Sequence, residues 1–114
     1  MTADLPLLDP DPFARIRAEI GDETAQILKA SFRAELEGAL ETLPVHAAAG
    51  DRQRLDIMSH ALKSTARTFG AMALGQAAEA VEQAAMTGAV PDDAMARLCQ
   101  VLRATLGAMA TAEA

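Results

Sequence analysis

The chain has 114 residues, which is enough for one domain with a single hydrophobic core and leaves little room for a second. Hydrophobic residues make up 51% of the sequence, but only three are Phe and none is Trp or Tyr, which favours a helical core of Ala, Leu, Ile, Val and Met over a β-sheet. The formal net charge of -6 argues against general nucleic-acid binding, because phosphate backbones require a basic surface.

The N-terminal stretch, the length of the apolar runs and the cysteine content indicate in which cellular compartment the protein is expected. The N-terminal stretch "MTADLPLLDPDPF" is acidic and interrupted by prolines, whereas a signal peptide needs a basic region and then an apolar run. No apolar run in the sequence approaches the length of a membrane span, and the single cysteine, Cys99, cannot form an internal disulfide. We therefore expect a cytoplasmic protein with no membrane partner. The initiating Met and the C-terminal "MATAEA" favour a free-standing protein.

Five helical segments are predicted, and no alternating strand pattern competes with them. The first spans residues 11–20, after an N-terminal tail of residues 1–10, and Gly21 ends it. The second starts at Asp22 and continues to Leu43, where Pro44 should end or kink it. His46 then stands in a turn or a short helical extension, as a structural or solvent-exposed residue. The apolar stripe of this second helix is predicted to comprise Ala25, Ile27, Leu28, Phe32, Leu36 and Leu40.

Three further helices follow. The third has Asp51 as its N-cap and runs through residue 69, with Gly70 as its C-terminal stop. The fourth spans residues 72–86, and a fifth opens at Asp92 or Asp93. The apolar positions predicted in the fifth helix are Ala96, Leu98, Val101, Leu102, Leu106 and Met109. The predicted fold is all-α: an antiparallel four-helix bundle over residues 11–112, including a short extra N-terminal helix.

The third helix has two distinct faces when its residues are placed about 100° apart. One face is apolar and collects Leu55, Met58, Leu62, Thr65, Ala66 and Phe69. The opposite face carries His60, with Lys63 and Ser64 as its direct neighbours and Arg67 one turn further along. This grouping suits a neutral imidazole that accepts a phosphoryl group, because nearby cations attract the phosphoryl oxygens and disfavour the imidazolium.

The segment "HALKSTARTFGA", residues 60–71, resembles the signature of histidine-containing phosphotransfer (HPt) domains, roughly H-x-L-K-G-x-x-x-x-[hydrophobic]-G-A. The positions that match in register are His60, Leu62, Lys63, Phe69, Gly70 and Ala71. Ser64 departs from it, because many members have glycine there. The resemblance implies a four-helix bundle in which His60 is the phosphoacceptor and Lys63 stabilises the phosphoryl group. It also implies that Glu82 hydrogen-bonds the second nitrogen of the imidazole, while Arg67 is a further candidate cation at the site.

The same resemblance implies the partners. They are the receiver domains of response regulators and a sensor or hybrid histidine kinase, with Mg²⁺ supplied by the receiver domain and no cofactor or metal bound by this chain. An apolar docking patch is expected around His60, formed by Ile57, Ala61, Ser64 and Thr68. Because no nucleotide-binding motif is present, the chain is expected to act as a phosphocarrier that depends on its partners, and whether it counts as an enzyme is left open.

Two other interpretations stay open on the sequence. One is a helical interaction or dimerisation module, for example a degenerate relative of the HPt domains whose histidine is never phosphorylated. The other alternative is the phosphoacceptor domain of a chemotaxis-type histidine kinase, which the spacing from His60 to Glu82 would also suit.

Overall fold

The protein is all-helical, as the sequence predicts. A computed structural model describes residues 5–113, and the side chains of residues 5–112, and this part of the chain contains five α-helices and no strand. The helices are α1 Pro10–Ile20, α2 Asp22–Ala48, α3 Arg52–Thr68, α4 Met72–Thr87 and α5 Asp92–Glu113. Within the described residues, no helix is both long enough and apolar enough to cross a membrane.

Helices α2 to α5 form a four-helix bundle. Because the connections between them are only three or four residues long, consecutive helices run antiparallel. Helix α3 packs against α2 and α4, and α5 packs against the same two helices, which closes the ring, while α1 lies against α2. The buried core is aliphatic apart from one aromatic ring and is built mainly from Phe32, Leu36, Leu43, Leu55, Leu62, Leu74, Val81, Leu98, Val101, Leu102 and Met109.

The prediction that Pro44 ends the second helix is wrong, because α2 continues through this proline to Ala48. Pro44 is exposed, and its missing N–H removes one backbone hydrogen bond from the outer side of the helix. Leu43 before it is completely buried, and Ala47 after it packs against the core. Burial on both sides holds the segment helical, so that His46 lies in the last turn of α2 and is half-buried.

Part of the predicted apolar stripe is also wrong. Ile27 and Leu28 are 64% and 40% exposed, and Ala96 of α5 is exposed where its neighbour Met95 is buried. Helix α2 has 27 residues and α3 only 17, so the first turns of α2 extend past the end of α3 and have less surface to cover them. The apolar periodicity of one helix contains no information about where a neighbouring helix ends.

The turn between α3 and α4 explains the Gly-Ala that ends the HPt-like segment. The amide of Ala71 donates to the carbonyl of Ala66 at 2.8 Å and that of Gly70 donates to Arg67 at 3.3 Å, which together form a Schellman motif. This geometry requires the positive φ of +82° at Gly70, a conformation that glycine adopts without strain. Gly70 therefore stops α3 where the sequence predicts.

Residues 5–9, which the sequence assigns to an N-terminal tail, lie against this turn. The amide of Asp9 donates to the carbonyl of Gly70 at 2.8 Å, and the amide of Ala73 donates to the carbonyl of Pro6 at 3.1 Å. Since α4 has no side-chain N-cap, the carbonyl of Pro6 satisfies one of its free amides.

The three phenylalanines of the chain attach α1 to the bundle. The ring of Phe69 stacks on that of Phe32 at a centroid distance of 4.7 Å and on that of Phe13 at 6.2 Å. One aromatic column therefore joins α1, α2 and the end of α3, which fixes the end of the helix that carries His60.

Candidate functional site

Helix α3 places His60 at the surface. The opposite face of the helix is buried through Leu55, Ser59, Leu62 and Ala66. The side chain of His60 is 63% exposed. The predicted outward orientation of this histidine is therefore confirmed, and it follows from anchoring the apolar face of α3 in the bundle.

A single carboxylate of α4 connects the two polar residues of this face of α3. Oε2 of Glu82 lies 2.6 Å from Nδ1 of His60, and Oε1 of Glu82 accepts a hydrogen bond from Nζ of Lys63, also at 2.6 Å. The side chain of Glu82 is only 8% exposed and that of Lys63 only 16%. The structure therefore brings together three of the predicted site residues.

The charge of Glu82 determines which nitrogen of the His60 imidazole carries the proton. The hydrogen bond from Lys63 lowers the pKa of Glu82 below its ordinary value, a shift that burial opposes and the contact with His60 reinforces. An ionised carboxylate can only accept hydrogen bonds, so Nδ1 of His60 must carry the proton that points at Glu82. In the neutral imidazole the lone pair is then on Nε2.

Arg67 is not part of the cluster. Its Nη2 lies 3.1 Å from Oε2 of Glu79, and both side chains are nearly half exposed. Its aliphatic stem covers Gly75, where an added Cβ would meet Cγ of Arg67 at 3.2 Å. Among the described residues, the polar contacts of Arg67 do not reach His60 or Glu82. Its function at the site stays a prediction.

The four residues of the predicted docking patch are all at the surface. Ile57 is 61% exposed, and Ala61, Ser64 and Thr68 are exposed as well. The hydroxyl of Thr68 donates to the carbonyl of Ser64 at 3.0 Å, so it is engaged within α3. That these residues contact a partner remains a prediction.

Two residues close to the cluster in the chain were not identified from the sequence. Met86 is 59% exposed and lies one helical turn after Glu82. Ser59 is completely buried directly before His60, and its hydroxyl has no hydrogen-bond partner among the described residues. The spacing of four residues between Glu82 and Met86 is a signal that a helical wheel would have shown.

The described residues contain no group of three or more His, Cys, Asp or Glu side chains arranged to hold a metal ion. The reactive group that the cluster offers is an imidazole with one nitrogen engaged by the buried carboxylate of Glu82 and the other available for nucleophilic attack.

Comparison with known proteins bears on the whole bundle. The family model for the Hpt domain matches residues 27–112, which covers well over half of the chain and includes His60, Lys63 and Glu82. Helix α1 lies outside the matched range. No curated protein and no solved structure gave a significant match. The helical bundle and the extent of the match together show that the chain belongs to the Hpt domain family, which implies phosphotransfer in phosphorelays.

Proposed function

We propose that this protein is a phosphocarrier in which His60 accepts a phosphoryl group from an aspartyl phosphate of a receiver domain and passes it to a second receiver domain. Membership of the Hpt family implies receiver domains and histidine kinases as partners. The observation that carries the proposal is the contact of 2.6 Å between Nδ1 of His60 and Glu82, on a side chain that is 63% exposed. It leaves Nε2 as the nucleophile at the surface.

The transfer step follows from this arrangement. The lone pair of Nε2 attacks phosphorus, the P–N bond forms, and the P–O bond to the donor aspartate breaks, so that the aspartate leaves as a carboxylate with the bonding electrons. The proton of Nδ1 stays between the imidazole and Glu82 throughout. The positive charge that develops on the ring is therefore stabilised by a buried carboxylate 2.6 Å away. Onward transfer to a second aspartate is the reverse of these bond changes.

Lys63 has two tasks in this proposal. Its ammonium donates one hydrogen bond to Glu82, and an ammonium has three donors, so others are available for a phosphoryl oxygen. Mg²⁺ belongs to the receiver domain in this proposal, and the chain supplies only the positioned nucleophile and its supporting charges. A cytoplasmic location suits such partners, and a single unpaired cysteine, Cys99, suits a reducing compartment.

The test is phosphoryl uptake by the wild-type protein and by His60→Gln. Receiver domains of the source organism, each charged with radiolabelled acetyl phosphate, serve as donors, and His46→Gln is the matched control because His46 lies at the end of α2. Wild type and His46→Gln should acquire acid-labile, base-stable label, and His60→Gln should acquire none. Label that persists in His60→Gln, or wild-type protein that takes label from none of the receiver domains, contradicts the proposal.

A further inference from the structure

A pocket with apolar walls lies where α1 joins the bundle. Its volume is about 360 Å³. The walls are formed by residues 8–9, by α1 and α2, by the end of α3 and by the last turns of α5. The apolar side chains that line it include Leu8, Phe13, Phe32, Phe69 and Met109. The pocket is within the range of about 300 to 1,000 Å³ that is typical of sites for small molecules.

This pocket is separate from the site around His60. Phe69 follows His60 by nine residues, which is about 13 Å along the helix. None of the described residues that line the pocket belongs to the cluster of His60, Lys63 and Glu82. The walls formed by residues 8–9 and α1 also lie outside the range that matches the family model. Phosphotransfer by His60 therefore does not account for the pocket.

Basic side chains lie where the apolar lining ends. A second cavity of about 520 Å³ adjoins the pocket. The two share Phe13, Arg17 and Lys29 as lining residues, and the second cavity adds Arg33. The ammonium nitrogen of Lys29 lies 5.2 Å from the centre of the Phe13 ring, so a positive charge rests against an aromatic wall of the pocket. We call this region the basic mouth and define it by Arg17, Lys29 and Arg33.

Two carboxylates lie near the basic mouth. Asp9 is the one acidic residue among the described residues that line the two cavities, and its side chain accepts the amide of Asp11 as the N-cap of α1. Asp22 lies 3.5 Å from Nε of Arg17, but its side chain is 88% exposed, and such a pair contributes little. The lining residues therefore carry three positive charges and one negative charge, which favours an anion although the whole chain is acidic.

The size and the chemistry of the pocket specify its ligand. At about 30 Å³ for each non-hydrogen atom, which is the share of one molecule in liquid water, the pocket holds roughly twelve such atoms. Phenylalanine rings and a methionine thioether favour an apolar body, because burial removes that body from water. The ammonium and guanidinium groups of the basic mouth bind a carboxylate through charge-assisted hydrogen bonds.

We propose that this pocket binds a small amphipathic carboxylate, with its apolar body between Phe13, Phe69 and Met109 and its carboxylate beside Arg17 and Lys29. The inference does not depend on the proposed function. A free carboxylate fits better than an anionic membrane surface, because the net charge of -6 repels such a surface, whereas a single small anion meets only the cations of the basic mouth.

NMR of the methionine methyl groups tests the proposal. Met109 lines the pocket and is 1% exposed, whereas Met95 is also buried and is not among the lining residues. Decanoate, whose size matches the pocket, and decylammonium, which has a similar chain and the opposite charge, are titrated below the concentrations at which they form micelles. Decanoate should shift the Met109 signal and not that of Met95, and it should bind about tenfold or more tightly than decylammonium. Non-specific attraction to an acidic chain would give the opposite order.

Two variants change the charge and the apolar wall separately. Lys29→Met should weaken decanoate binding by about tenfold, because it removes a charge of the basic mouth. Arg97→Met is the matched control and should stay within about twofold of wild type. It removes the same charge at an exposed position of α5 that precedes Met109 by twelve residues, about 18 Å along the helix. Ala14→Trp adds bulk to the wall at an exposed residue and should abolish the shift of Met109. Circular dichroism confirms that the variants are folded.

An unchanged Met109 signal in the presence of decanoate would overturn the proposal. Equal binding of decanoate and decylammonium, or unaltered affinity for decanoate in Ala14→Trp, would overturn it as well. Equal weakening by Lys29→Met and Arg97→Met would show that only the net charge of the chain matters and would refute the assigned position of the carboxylate. A shift of Met109 caused by vesicles of phosphatidylglycerol and not by decanoate would assign the pocket to a membrane lipid instead.

Discussion

The ammonium of Lys63 lies 2.6 Å from Oε1 of Glu82 and is turned against α4, with only 16% of the lysine side chain exposed. The cation next to His60 is thus already engaged by a carboxylate of the same chain. The positive charge of Lys63 compensates the negative charge of the nearly buried Glu82 carboxylate.

Lys63 and Glu82 should therefore be energetically coupled. We expect Lys63→Met to destabilise the protein by about 1 to 2 kcal/mol, and by about 1 kcal/mol less when Glu82 is already Gln. Urea unfolding of the two single variants and the double variant measures this coupling. Arg67→Met is the control, because its pair with Glu79 is half exposed and should contribute less than about 0.5 kcal/mol. Equal effects of Lys63→Met in both backgrounds would refute the coupling.

Glu82 should make the stability of the fold depend on acid pH. Its pKa is lowered in the folded protein, chiefly by the hydrogen bond from Lys63, so the unfolded chain binds the proton more readily. The stabilisation is complete above the ordinary glutamate pKa of about 4.3 and is lost as the pH falls through the lower folded value.

Chemical denaturation between pH 7 and pH 3 tests this dependence. Wild type should lose more stability on acidification than Glu82→Gln, which has no proton to bind at this position. Glu79→Gln, which changes an exposed partner of Arg67, should follow the wild-type curve. A wild-type curve parallel to that of Glu82→Gln would show that Glu82 contributes nothing to the acid dependence.

Gly70 should be intolerant of any side chain. A Cβ there would overlap the carbonyl oxygen of Asp9, and the residue has a φ of +82°. We expect Gly70→Ala to cost about 2 kcal/mol or more, from backbone strain and displacement of residues 5–9 together. Gly50→Ala separates the two causes, since Gly50 has a φ of +67° but open space around it, and should cost only about 1 kcal/mol. Thermal unfolding measures both, and equal losses would exclude a contribution from Asp9.

Ser59 should be a site where stability can be gained. Its hydroxyl is completely buried and has no partner among the described residues, so it loses its hydration without compensation. We expect Ser59→Ala to stabilise the protein by up to about 1 kcal/mol. Thr105→Val is the contrasting variant, because the buried Thr105 hydroxyl donates to the carbonyl of Val101 at 2.7 Å and its loss should destabilise. Destabilisation by Ser59→Ala, measured by urea unfolding, would indicate a partner for the hydroxyl.

Much of the site follows from interactions within a few residues of the chain. The N-cap at Asp51, the stop at Gly70 and the outward direction of His60 all depend on capping, glycine conformation and the periodicity of one helix. The same local rules failed at Pro44, Ile27 and Leu28. The exposure of Ile27 and Leu28 depends on how far the neighbouring helices extend. The continuation of α2 through Pro44 depends on the burial of the residues before and after it.

The sequence by itself therefore determined that α3 forms, that it presents His60 and Lys63 on one face, and that the chain is an all-helical domain of the Hpt type. Only the tertiary structure decided that Glu82 contacts both of these residues while Glu79 pairs with Arg67. The physical reason is that periodicity assigns residues to faces within one helix. The distance and register between packed helices arise from the fit of all their side chains together.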